Sequence, residues 1–148
     1  MRIFLDTNVI LEFFIEREDI RTAAQLFKRL KEEKAVLFMT VGSFYTMLFL
    51  IDKYLRKCLG LTGEVRVEAL RSLAVKIVKA INVVEHDNES LLRGVEDIQF
   101  KDIEDSCQYQ LAKKYKCDIL VSFNTSDFPE DATTELNVVS PIGFIKRQ

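Results

Sequence analysis

Strand-like and helix-like segments alternate along this chain from the second residue, an order that calls for a sheet with crossover helices. Residues 2–5 (Arg-Ile-Phe-Leu) are a short apolar strand that stops at an acidic turn, Asp6-Thr7-Asn8. A helix follows to about Glu16. The next covers about 19–33, with Ile20, Ala23, Ala24, Phe27 and Leu30 on one face. Residues 36–39 form a second strand ended by Thr40, and 44–55 are apolar nearly all round, which predicts a central helix. After the Gly-Leu-Thr-Gly break at 60–63, Val67, Leu70, Leu73, Ala74, Ile77 and Val78 mark an amphipathic helix. Residues 82–84 suit a third strand, and 88–97 a helix carrying Leu91, Leu92 and Val95. Residues 102–116 follow as a helix, with Ile103, Cys107, Leu111 and Tyr115 at intervals of four. Residues 118–122 read as a buried parallel strand, and Val138 and Val139 before Pro141 as an edge strand.

A length of 148 residues fits one α/β domain over 1–148. The formal charge of −2 does not advertise a nucleic-acid binder, nor does it exclude one, because clustering of Lys and Arg matters more than their sum. Cys58, Cys107 and Cys117 include no CxxC pair; two lie in apolar helical stripes, which reads as buried thiols in a reducing cytosol. The single histidine, His86, has no partner at zinc-ligand spacing and reads as a surface or loop residue. The N-terminal apolar run is too short for a signal peptide, and residues 44–51 are far below membrane-spanning length. The expected location is the cytoplasm, with no membrane.

In open parallel sheets, ligands bind beyond the carboxyl ends of the strands, near the point where strand order reverses. Asp6 sits at the carboxyl end of the first strand; Asn124 and Asp127 follow the 118–122 strand; Asp102, Glu104 and Asp105 open the helix before it. Converging carboxylates suit Mg²⁺, which takes one or two with waters and substrate phosphate. Each residue also has a plainer reading. Asp6 and Asp102 are both good helix N-caps, and for Asp102 the cap is the preferred reading. Glu104 points to solvent or shares the rim, and Asn124 and Asp127 suit a turn on local grounds.

The residues resemble the PIN-domain family. Leu5-Asp6-Thr7-Asn8-Val9-Ile10 looks like its opening motif. The Asp105 helix, the 119–122 strand and the Asn124-Thr125-Ser126-Asp127-Phe128 turn resemble its second half. The resemblance implies a Rossmann-like three-layer α/β/α fold with four or five parallel strands. It also implies Mg²⁺- or Mn²⁺-dependent ribonuclease activity, as in VapC-type toxins of toxin–antitoxin modules. By position, Asp6, Asp105 and Asp127 match acidic metal ligands, Thr7 and Asn8 match residues that position the first ligand and a water, and Asn124 matches the asparagine of the last turn.

One position departs. Active members usually carry a glutamate in the third helix about six residues after the Ser or Thr that ends the second strand; here Thr46 stands there, and no acid lies between Glu33 and Asp52. The resemblance is therefore to a subgroup lacking that glutamate, in which Asp102 or Glu104 could compensate. The alternative to a nuclease is a weak or inactive PIN-like domain that binds RNA or a protein. A HAD-type phosphatase wants Asp where Asn8 stands, and a receiver domain finds no acceptor Asp near its middle strand. Candidate RNA contacts are Lys28, Arg29, Lys31, Lys34, Lys53, Arg56 and Lys57, with Tyr45, Phe49 and Tyr54 as possible base-stacking rings, although such residues more often line a solvated face or the core. Phe13, Phe14, Ile20 and Phe27 offer surplus apolar surface, so a homodimer or an antitoxin partner is expected.

Overall fold

The computed structural model describes residues 1–15 and 18–147. Five strands run parallel in one sheet: β1 (Arg2–Leu5), β2 (Val36–Thr40), β3 (Asn82–Val84), β4 (Ile119–Val121) and β5 (Asn137–Val139), in the order β3-β2-β1-β4-β5. Ile3, Phe4 and Leu5 of central β1 are fully buried, as are all three residues of β4, because helices cover both faces. Alternation along β1 sends Ile3 and Leu5 into one apolar layer, with Val9, Met47 and Ile51, and Phe4 into the other, with Phe38, Tyr109 and Phe128. The expected three-layer α/β/α architecture is what the chain adopts.

The longer helices are α1 (Thr7–Phe14), α2 (Ile20–Glu32), α3 (Val41–Lys57), α4 (Gly63–Ala80), α5 (Asn88–Glu96) and α6 (Ile103–Lys114). The expected end of the first helix at Glu16 lies outside the described residues. Two short helices, α7 (Ala132–Glu135) and α8 (Pro141–Ile145), flank β5 and have no counterpart in the sequence reading. Helix α3 begins three residues earlier than its apolar run because the Thr40 side chain accepts the Ser43 N–H and caps it.

Several faces differ from the pattern read off the sequence. Helix α3 is not central: Ser43, Met47, Ile51 and Leu55 form its buried stripe, while Tyr45 and Phe49 are 65% and 67% exposed. On α2 the buried stripe is Ala23, Leu26 and Leu30, and Ala24 is exposed. On α4 only Ile77 is buried, and Val67 and Val78 lie outside. On α6 the inner face carries Ser106, Gln108, Tyr109, Leu111 and Ala112, leaving Ile103 exposed and Cys107 half-buried. Cys58, just past α3, is exposed, and Cys117 alone is a buried thiol. The cations at 28–34 sit where α2 ends and β2 begins, at the amino edge of the sheet, away from the strand ends where a site is expected.

Helix α5 inverts its apparent pattern. Leu91, Leu92 and Val95 face outward, and Ser90 and Gly94 face α6. The reason is close approach: a Cβ on Gly94 would lie 2.7 Å from Cys107 Sγ and 2.8 Å from Cys107 Cα. Replacing Gly94 by Ala gains up to about 1 kcal/mol of helix propensity but forces the helices apart, an overpacking cost of about 1–3 kcal/mol or more. Because one obstacle is backbone, the cost wins: Gly94→Ala should lower the urea midpoint, and unchanged stability would show that α5 and α6 are not packed this closely.

Candidate active site

The neighbours β1 and β4 form the switch point of the sheet, where the chain leaves in opposite directions. Asp6 follows β1 directly and is tied to β4 by its N–H, which donates to the Val121 carbonyl at 3.0 Å. Its backbone is extended and occupies the N-cap position of α1, yet its side chain makes no capping bond. The carboxylate instead accepts the Ser122 hydroxyl at 2.7 Å and the Gln108 amide at 3.2 Å. Only 5% of Asp6 is exposed, so β4 and α6 both hold an acid that β1 delivers. That geometry disfavours the plain cap reading for Asp6. For Asp102 the cap reading holds: its side chain accepts the N–H groups of Glu104 and Asp105, at 2.7 and 3.3 Å.

An open cleft of about 250 Å³ lies over these groups. It is lined by Asp6, Thr7, Asn8, Thr46, Asp102, Glu104, Asp105, Asn124 and Asp127, so every site residue named from sequence meets at one edge, together with Leu11 and Gln108. Thr46 stands in the cleft wall one turn into α3. The frame around it is a buried hydroxyl chain, in which Thr7 and Thr40 both donate to Ser43 Oγ, at 2.6 and 2.8 Å. Thr7 therefore spends its hydroxyl joining the starts of α1 and α3, rather than on Asp6. Ser122 Oγ also accepts the Asn124 N–H at 3.0 Å, so one hydroxyl sets both Asp6 and the turn that carries Asp127. Ser43, Gln108 and Ser122 were missed from sequence; the available signal was that Gln108 lies one turn after Asp105 and Ser122 ends a buried strand.

Electrostatics mark the cleft. Burial and the charges of Asp6, Asp102, Asp127 and Glu104 push Asp105 up to about 7. Glu104 is raised by burial and by Asp6 and Asp102. Burial also raises Asp6, against the hydrogen bonds that favour its charged form, Ser122 foremost. A cation would relieve this repulsion. The acceptor set fits a hard one: the side-chain oxygens of Asn8 and Gln108 are buried without a hydrogen-bond partner, and both residues line the cleft. Among the described residues no three His, Cys, Asp or Glu side chains close into a ready cage. Mg²⁺ does not require one, since it keeps several waters and takes few protein carboxylates.

Fold and cleft together define an α/β domain with an acidic site at its topological switch point. The chain belongs to the PIN domain family, whose model matches residues 2–126. Ribonuclease VapC1 of Aquifex aeolicus (strain VF5) is 31% identical over 136 residues, which cover 88% of this chain and 86% of that protein. Among solved structures, VapBC-1 from nontypeable Haemophilus influenzae matches with a TM-score of 0.61 at 16% identity, covering 96% of this chain and 99% of that one. Mycobacterium tuberculosis VapC20, a Sarcin-Ricin loop cleaving toxin, matches with a TM-score of 0.54 at 16% identity, over 89% and 93%. At that identity the two structures establish the fold.

The raised Asp105 has a definite sign for stability. The folded protein keeps this proton up to about pH 7, whereas the unfolded chain loses it near 3.8, so the contribution is full below pH 4 and is lost as pH rises through 7. In EDTA, the thermal midpoint of the wild type relative to Asp105→Asn should therefore fall by a few degrees between pH 4 and pH 8. Comparing the two proteins cancels His86, whose lowered value acts in the opposite direction. Parallel curves for the two proteins would show that Asp105 is not strained by its neighbours.

Proposed function

We propose that this chain is a single PIN domain that hydrolyses RNA phosphodiesters with Mg²⁺ or Mn²⁺, as the toxin of a toxin–antitoxin pair in the cytoplasm. The observation that carries the reading is the buried Asp6 carboxylate, held by Ser122 and Gln108 in one cleft with Asp105 and Asp127. Similarity to Ribonuclease VapC1 supports it.

Asp6, Asp105 and Asp127 would hold the ion. Bound there, a divalent ion supplies an activated water and stabilises the leaving oxygen of the phosphodiester. The protein's own share is positional. Ser122 and Gln108 fix the Asp6 oxygens, Asp105 gives up its proton as the ion arrives, and Asn124 and Thr46 flank the space left for substrate. Without a cation the acids repel phosphate, so binding and cleavage both depend on it.

A protein partner fits the same proposal. A groove of about 450 Å³ where α1 and α2 meet β2 and the end of α4 is lined by Phe13, Phe27, Leu30, Leu37 and Ala80, together with Lys31 and Lys34. The Phe13 and Phe27 rings pack tilted with centroids 4.7 Å apart and Phe13 is partly exposed, which suits an antitoxin segment with apolar anchors and acidic flanks. A homodimer belongs to the proposal as well, supported by the exposed Leu92, Val95 and Ile98. Among the described residues no helix is long and apolar enough to cross a membrane.

A second reading, an inactive PIN domain that only binds, rests on Thr46, which puts a hydroxyl where active relatives place a carboxylate. One assay separates the two. Purified protein should cleave a mixed structured and single-stranded RNA with Mg²⁺ or Mn²⁺ and not with EDTA, and Asp6→Asn or Asp105→Asn should abolish cleavage. Ser122→Ala and Gln108→Ala, which loosen Asp6 without removing it, should cost about 10–100-fold. Thr46→Glu should tighten metal binding and raise the rate at low Mg²⁺. Folded wild type that cuts with neither metal would establish the binding reading.

A further inference from the structure

Helix α3 shows two unlike faces. Its inner stripe is core, and its outer arc carries Tyr45 and Phe49, one turn apart and each about two-thirds exposed, followed by Lys53, Arg56 and Lys57, all exposed. At 100° per residue these five side chains and Thr46 share an arc of about 120°. Thr46 lines the acidic cleft, so the arc begins at the site. It then runs away from the site for about 16 Å, from Thr46 to Lys57 at 1.5 Å per residue.

We propose that the outer face of α3 is a track for single-stranded RNA that leads into the cleft. Bases stack on Tyr45 and Phe49, and phosphates lie against Lys53, Arg56 and Lys57. The inference rests on the nuclease reading for its direction, because the cleft is taken as the point of cleavage.

Three observations favour RNA over a protein occupant. Two large aromatic rings stand exposed one turn apart on the same arc, and the Tyr45 ring lies 5.8 Å from Phe44, which packs on the core and limits its motion. The cations follow the rings along one arc, as stacked bases joined by phosphates require. The charge is available: among the described residues Lys53, Arg56 and Lys57 enter no ion pair, and Asp52, the acid next to Lys53 in sequence, is engaged by Arg66 at 3.3 Å. A duplex presents its bases edge-on and cannot stack on such rings, so the track selects unpaired strands.

The test is fluorescence anisotropy with a labelled mixed-sequence RNA of about twelve nucleotides, against a duplex of the same sequence. All proteins carry Asp105→Asn, so that nothing is cut in Mg²⁺. Tyr45→Ala with Phe49→Ala should weaken single-strand binding at least about tenfold, and Tyr45→Phe with Phe49→Trp should restore it. Replacing Lys53, Arg56 and Lys57 by Gln should lower the slope of log affinity against log salt by about 2. Unchanged binding by the double alanine variant would overturn the track, and so would equal affinity for duplex. Sedimentation decides the rival occupant: if the alanine pair turns a dimer into a monomer that binds RNA as before, the face belongs to a second copy and the proposal fails. The readout is independent of cleavage. Binding that depends on these residues, together with a wild type that cuts nothing in the separate cleavage assay, would end the nuclease reading and leave the track standing.

Discussion

A carboxylate buried at the junction of two parallel strands is the constraint on which the rest of the structure depends. Ionised Asp6 at 5% exposure costs far more than one turn of helix contributes unless its oxygens are hydrogen-bonded. The fold meets that demand from two elements over a hundred residues away, through the Ser122 hydroxyl and the Gln108 amide. Both donors must arrive together, which requires β4 to pair with β1 in register and α6 to pack across them. The register of the central strands and the orientation of the site are thus one requirement. Because charge-assisted hydrogen bonds are short and directional, they also leave Asp6 little freedom to turn.

Repulsion is built on this foundation. Asp105, Glu104, Asp102 and Asp127 gather around a group that cannot move away, and Asp105 responds by keeping its proton up to about pH 7. The fold therefore carries a repulsion that a cation would relieve, and on the proposed metal-dependent reading stability and metal affinity would trade against each other at the same residues. Asp102 is the partial exception. Its oxygen is engaged by two backbone N–H groups, so it contributes field to the site while stabilising the helix that presents Asp105.

Much of this was legible in the sequence because it is local. An apolar strand running into Asp6, an Asp cap three residues before Asp105 and a turn holding Asn124 and Asp127 each follow from short-range rules. The parallel sheet then brings their ends together. Illegible parts depend on which side of a helix meets its neighbour. In α5 the apolar residues face out, because α6 comes within a distance that only Ser90 and Gly94 permit; hydrophobicity cannot reveal such an approach. In α3 an apolar surround looked like a buried helix, whereas one stripe suffices to cover the sheet and the aromatics remain outside. Gln108 and Ser122 were marked only by their positions, one turn after Asp105 and at the end of a buried strand; as neutral polar residues their value lies in the partner each meets.

Thr46 stands where the acidic cleft meets the outer arc of α3. An acid there would add a sixth negative side chain to a cleft already raising the proton affinity of Asp105, Glu104 and Asp6. It would also stand at the head of the arc that carries Tyr45 and Phe49. On the proposed metal-dependent reading, a hydroxyl would leave the ion with fewer charged ligands but lower the repulsion that an incoming phosphate meets at the cleft wall. On that reading, weaker metal binding and easier approach of a phosphate would be opposite consequences of having threonine here, with a balance set by the Mg²⁺ concentration. Where Mg²⁺ is plentiful, the neutral residue would cost little occupancy and keep the gain in approach, so threonine at this position is compatible with the proposed metal site.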